Sequence, residues 1–171
     1  MSTGTTRLNG RAGVVMDISH YLAGDLAESL VKIPLSASNW TYGTGANQVN
    51  CIHQNTDTLA NAAGTSTHDL YASGTLLDIF GRALTMTALK FLYIKNNSAD
   101  ATLSVGANAN HIPLMTTIAT EIWIVQPGGI MLWTDPTAAG TVITTNKNLV
   151  ILHNGEGTAT IDVDIIAMGL D

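Results

Sequence analysis

The stretch from Thr120 to Asp135 constrains the fold more than any other part of the chain. Two short runs of β-branched, aromatic and other apolar residues, Ile122 to Val125 and Ile130 to Trp133, flank Gln126-Pro127-Gly128-Gly129. Pro127 presets φ near about −65° at the second turn position, and Gly128 accepts the positive φ that a type II turn requires at the third. The flanks favour extended chain, so the segment is expected to form a β-hairpin. Tight antiparallel hairpins belong to sandwiches and barrels rather than wound α/β sheets, which predicts an all-β domain.

Composition narrows the surroundings of that domain. At 171 residues the chain suffices for one domain with a core, and no compositional shift divides it. Only 12% of residues are charged, about half the ~25% usual in soluble domains. Thr, Asn, Ser, Ala and 16 Gly cover the surface instead, and mean hydropathy is +0.23. We therefore expect part of the surface to be buried against other copies or a larger assembly.

A net charge of −6 and a pI near 5.1 argue against nucleic acid as a partner, because phosphate binding needs a clustered positive field. Arg7 and Arg11 are too few to form a nucleic-acid arm. The single Cys51 excludes an intrachain disulfide framework and is expected to be buried. No apolar run approaches the roughly 20 residues that span a bilayer, so no membrane partner is expected and the chain reads as made in the cytoplasm.

Residues 1–28 are small and polar without sustained period, and read as an extended N-terminal arm lying along a neighbouring subunit, in which only Val14, Val15 and Met16 favour a short strand. A helical start capped by Asp17 or Ser19 is the alternative. Residues 29–171 read as the β-domain. Leu30 to Leu35 form a first strand, with Pro34 at an edge or bulge. Gly43-Thr44-Gly45-Ala46-Asn47-Gln48 is a tight turn, not a phosphate loop, because it lacks the Gly-Lys-Ser/Thr ending. Leu76 to Gly81 reads as a helical turn with a terminating glycine.

The strongest strand signal runs through Lys95, with Leu89, Phe91 and Tyr93 on one face and Leu92 and Ile94 on the other, so it is expected to be central. Thr102 to Val105 is expected to pair back on it across the Asn96 to Asp100 turn. In the last strand Ile161, Val163 and Ile165 alternate with Thr160, Asp162 and Asp164, one buried face against one solvated face. Regularly spaced short strands predict an antiparallel β-sandwich of jelly-roll kind.

Several local motifs occur in one order: Gly43 to Gln48, Asp57 to Leu59, Asp69-Leu70, Phe80-Gly81, Leu92 to Asn96, Pro127 to Gly129, and paired strands from Leu149 to Ile165. From about residue 43 onward the chain resembles tailed-bacteriophage or prophage virion structural proteins of the head-decoration (cement) or accessory-fibre type. That resemblance implies a jelly-roll-like homotrimer located in the virion, attached to the major capsid protein or another virion protein. It carries no catalytic residue and implies a non-enzymatic role.

Candidate sites follow the same logic. His20, His53, His68, His111 and His153 show no His-x-His or His-x₃-His spacing, so no metal or cofactor is expected. Asp162 and Asp164 share a strand face, which offers oxygens to calcium or simply a solvated surface. Cys51 lacks a basic setting that would activate it, and no Gly-x-Ser-x-Gly elbow is present. Trp40, Tyr42, Trp123 and Trp133 read as core or subunit-interface residues, with stacking on a glycan as the alternative. Arg7, Arg11, Val14 and Val15 complete the interface candidates. A capsid-stabilising homo-oligomer is the leading expectation. A carbohydrate-binding module or tail-fibre adaptor, with Trp133 as its aromatic platform, is the competing one.

Overall fold

The computed structural model describes residues 9–12, 15–20, 29–34, 38–60, 64–72, 75–106, 110–114, 122–155 and 160–171, with side chains described from residue 40 onward. These residues form fourteen strands and no helix. In chain order they are β1 (Asn9–Ala12), β2 (Val15–His20), β3 (Ser29–Pro34), β4 (Ser38–Tyr42), β5 (Gln48–Val49), β6 (Cys51–Leu59) and β7 (Thr65–Asp69). There follow β8 (Ala88–Asn96), β9 (Leu103–Gly106), β10 (Ile122–Val125), β11 (Ile130–Thr134), β12 (Thr141–Val142), β13 (Asn148–His153) and β14 (Ile161–Leu170).

Two antiparallel sheets carry most of the strand residues. One has the order β11-β8-β14-β6, with β12 also paired to β8; the other has the order β10-β9-β13-β7. The alternation of β14 orients it as expected: Ile161, Val163, Ile165 and Ala167 are buried, while Asp162 is exposed. They join Leu92 and Ile94 of β8, Leu103 and Val105 of β9, Val125 of β10, and Leu149 and Ile151 of β13 in one apolar cluster. Burying each such side chain contributes roughly 1.5–3 kcal/mol before chain entropy is subtracted.

The turn at Pro127 forms as its residues dictate, but it does not make a hairpin. Gly128 has φ of 68°, and the Gly129 amide donates to the Gln126 carbonyl at 2.8 Å. The strands on either side then part company: β10 pairs with β9, whereas β11 pairs with β8 in the other sheet. The expected pairing of the Thr102 to Val105 segment with the central strand fails in the same way, since β9 pairs with β10 and β13. The closing strands also separate, β13 into one sheet and β14 into the other. A turn fixes chain reversal but not partnership, and these three reversals step between sheets, whereas the consecutive β9 and β10 pair within one. Consecutive strands therefore occupy matching positions in the two orders: β6 and β7, β8 and β9, β11 and β10, β14 and β13.

β8 is central as expected, flanked by β11 and β14. Its faces differ from a simple alternation because register shifts against β14: Met168 faces Phe91, the next pair is Gly169 with Leu89, and Lys90 is the extra residue. The bulge turns Leu89 into the main cluster beside Leu92 and Ile94, away from Phe91 and Tyr93 with which it was expected to align.

Phe91 and Met168 face the opposite side of this sheet, where Trp40 of β4 and Val49 of β5 cover them. Trp40 is 1% exposed and meets Phe91 edge to face at a centroid distance of 6.4 Å. The buried Lys90 Nζ donates to the carbonyls of Gly45 at 2.8 Å and Gln48 at 3.0 Å, tying the glycine-rich loop to the sheet. Burial pushes the Lys90 ammonium below its ordinary pKa, opposed by nearby Asp135.

Near the N-terminus, β1 pairs with β4 and β2 pairs with β3. More of this segment is strand than its composition indicated. Asp17 and Ser19 lie within β2, so they do not cap a helix there. Pro34 ends β3 opposite Val15, with β2 as the paired strand, consistent with an edge position among the described residues.

Candidate functional site

The strands β6 and β7 are the matching edges of the two large sheets, and their inward faces are unusually polar. On β6 the residues opposite the buried positions of β14 are Cys51, His53, Asn55, Asp57 and Leu59. On β7 they are Ser66 and His68, opposite Ile151 and Leu149. Asp57 binds the two edges together. Its Oδ2 accepts from Ser66 Oγ at 2.5 Å and His68 Nε2 at 2.6 Å, and its Oδ1 accepts from Asn55 Nδ2 at 2.6 Å.

Serine, histidine and aspartate in contact invite comparison with a hydrolytic triad, and the wiring excludes it. Such a triad uses one imidazole nitrogen for the carboxylate and the other for the nucleophile. Here His68 Nε2 meets both Asp57 and Ser66, the latter at 3.2 Å, while the Ser66 hydroxyl directs its proton to the carboxylate. The imidazole is therefore not the base of this serine, whose hydroxyl faces the Asp57 carboxylate directly. The network is a structural clamp.

His53 sits beside this clamp, its ring centroid 5.5 Å from that of His68. The Leu77 carbonyl can only accept, so the contact at 2.8 Å places the proton of neutral His53 on Nδ1. Nε2 is then a bare lone pair, buried and without a hydrogen-bond partner. Burial pushes the His53 pKa down, with the bond to Leu77 opposing. Among the described residues, no three His, Cys, Asp or Glu side chains converge at metal-binding distances.

Next to the seam, residues 76–84 form a tight loop rather than the helical turn that its apolar spacing predicted. Asp78 organises it: Oδ1 accepts from the amides of Phe80 and Arg82, both at 2.8 Å, and Oδ2 accepts from Arg82 Nε at 2.7 Å. A β-bridge joins Leu77 to Ala83, and Gly81 takes φ of 77°. The side-chain bonds of Asp78 replace helical backbone bonds, which leaves Leu77, Ile79 and Phe80 on the surface. Phe80 is 70% exposed, with the Arg82 guanidinium 5.2 Å from its ring centroid. A cleft of about 320 Å³ opens between this loop, Tyr42, the start of β6 and Asp171.

The residues singled out from the sequence are scattered. Arg7 and Val14 lie outside the described residues, and the side chains of Arg11 in β1 and Val15 in β2 are not described. Trp40 is core, and Tyr42 is exposed at the cleft. Trp123 and Trp133 are half-buried against the main cluster, and Trp133 Nε1 donates to the Leu114 carbonyl at 2.8 Å, so Trp133 is not an open aromatic platform. Burial, with Asp171 adding to it, pushes the Cys51 thiol up to about 12, which makes it a poor nucleophile.

Asp162 accepts from Thr58, and Asp164 from Thr56 and Asn97; these last bonds hold Asp164 below its ordinary pKa. Their oxygens serve cross-strand hydrogen bonds on an exposed face. The clamp was not anticipated, although the alternation His53, Asn55, Asp57 along one strand is a signal that its inward set is polar. No family model, curated protein or solved structure matches the chain.

Proposed function

We propose that the chain is a non-enzymatic structural protein of a tailed-bacteriophage virion, a jelly-roll-like sandwich that assembles as a homotrimer on the capsid with residues 1–28 as its tether. The strand orders β11-β8-β14-β6 and β10-β9-β13-β7 support the jelly-roll reading, since eight strands wound as two Greek keys place consecutive strands opposite one another. Residues from both sheets in one buried cluster support a sandwich.

The observation that carries the assembly reading is β10. It is an edge strand among the described residues, and it presents Ile122, 46% exposed, and Ile124, 52% exposed, on the side away from the core. Isoleucines left bare on an edge strand are costly to expose to water. Covering it with another copy, or with a capsid subunit, removes that apolar area from water. Many copies on a shell then add weak contacts by multivalency.

Sedimentation tests both parts. The purified chain is expected near 54 kDa, three copies of a 17.9 kDa chain, and is expected to pellet with capsids of the phage that encodes it. A monodisperse monomer that stays in the supernatant would overturn the reading. Pelleting with tails alone would move it to the fibre or adaptor alternative.

A further inference from the structure

We propose that the cleft between Tyr42 and the loop 76–84 binds a neutral carbohydrate. This site is separate from the β10 edge and does not depend on the virion reading.

The cleft joins exposed aromatic rings with positioned polar groups. Tyr42 stands at one side and Phe80 at the other, each half or more exposed. Aromatic faces stack on the C–H faces of sugar rings, and burying them there returns the free energy lost by leaving them in water. Its volume of about 320 Å³ lies at the small end for ligand sites, room for roughly one or two sugar rings.

The polar lining is fixed before any ligand arrives. Asn50 Nδ2 donates to Asp171 Oδ1 at 2.6 Å and the Asp171 amide donates back to Asn50 Oδ1 at 3.0 Å, so this reciprocal pair holds the carboxylate in place. Asp78 locks the opposite loop through its bonds to Phe80 and Arg82. The bond from Asp78 fixes the backbone at Phe80, which lowers the loop-ordering cost of binding a weak polar ligand.

Charge decides among ligand classes. Asp78 and Asp171 line the cleft and Arg82 is paired with Asp78, so the site repels phosphates and other anions. Carboxylate and amide oxygens accepting from hydroxyls, beside aromatic faces, suit an uncharged polyol. A purely apolar peptide would take water from Asp171 Oδ2, the oxygen that Asn50 does not reach, and offer it no donor.

Saturation-transfer NMR and calorimetry with cellotriose, maltotriose, chitotriose and lactose provide the test. At least one sugar is expected to bind saturably to the full chain. Phe80→Ala is expected to weaken that binding about tenfold or more with the far-UV circular dichroism unchanged, and Tyr42→Ala to do the same. Asp171→Asn, which keeps the shape and removes the charge, is expected to weaken it by about tenfold. Absence of saturable binding across the four sugars, or binding unmoved by both aromatic variants, would overturn the proposal. So would binding of a neutral Leu- and Phe-containing peptide that none of the sugars displaces. Each of these three failures leaves the sedimentation outcome untouched.

Discussion

Lys90 and His53 are buried polar side chains that strand periodicity alone does not place. Lys90 enters a bulge in the central strand and donates to the Gly45 and Gln48 carbonyls. Lys90→Met keeps the apolar stem and removes both charge-assisted bonds, and is expected to cost about 1–3 kcal/mol, read as a lower urea midpoint at unchanged slope. His53 binds a proton less readily in the folded chain than its ordinary pKa of 6.5 allows, chiefly because it is buried. Below about pH 6.5 the unfolded chain therefore takes up a proton that the folded chain resists. Stability is full above that pH and falls as pH drops through the lowered folded value. Melting curves between about pH 8 and 5 are expected to show this decline, and His53→Phe to make it shallower, because the variant removes the titrating ring and leaves the Asp57, Ser66 and His68 clamp in place.

At the scale of elements, most strands were legible because their signals are local. Alternation marked β14, the apolar run marked β8 as central, and proline followed by glycine marked the reversal at Pro127. Two glycines show how differently one residue type acts in these elements. A Cβ at Gly128 meets no atom within 4 Å, so Gly128→Ala carries only the penalty of its φ of 68°, about 1 kcal/mol. A Cβ at Gly169 would lie 2.0 Å from the Ala88 carbonyl oxygen and 2.8 Å from Met86 Sδ. Gly169→Ala therefore forces β14 away from β8 beside the bulge, and is expected to cost about 2–3 kcal/mol in chemical denaturation. Periodicity did not reveal the bulge, because one extra residue changes which side chains face inward without changing their hydrophobicity.

Across the whole molecule, the large sheets are joined by chain reversals that cross between them, so much of the core consists of contacts distant in sequence. The protein is expected to unfold in one transition, with tryptophan fluorescence and far-UV circular dichroism coincident, because β8 and β14 contribute to both apolar clusters that hold Trp40, Trp123 and Trp133. Separated transitions would show that the cover formed by Trp40 melts alone. The assembly proposal belongs to this scale too. Ile122→Asp with Ile124→Asp is expected to leave the fold intact, since both side chains point away from the core, and to shift the sedimenting species from trimer to monomer.

The candidate sites were less legible than the strands. Cys51 as a buried, inert thiol and Asp162 with Asp164 on one strand face followed from local pattern. The Asp57, Ser66 and His68 clamp and the Tyr42 and Phe80 cleft did not, because each joins residues from different elements. By itself the sequence determined an all-β chain, the positions of its main strands and turns, and the alternation of β14, because backbone preference and side-chain periodicity act over a few residues. Only the tertiary structure decided that the strands around Pro127 enter different sheets, that Lys90 is buried, and that β6 and β7 lock edge to edge. Strand pairing is chosen by the packing of all strands together, and an alternating segment offers the same buried face to either sheet.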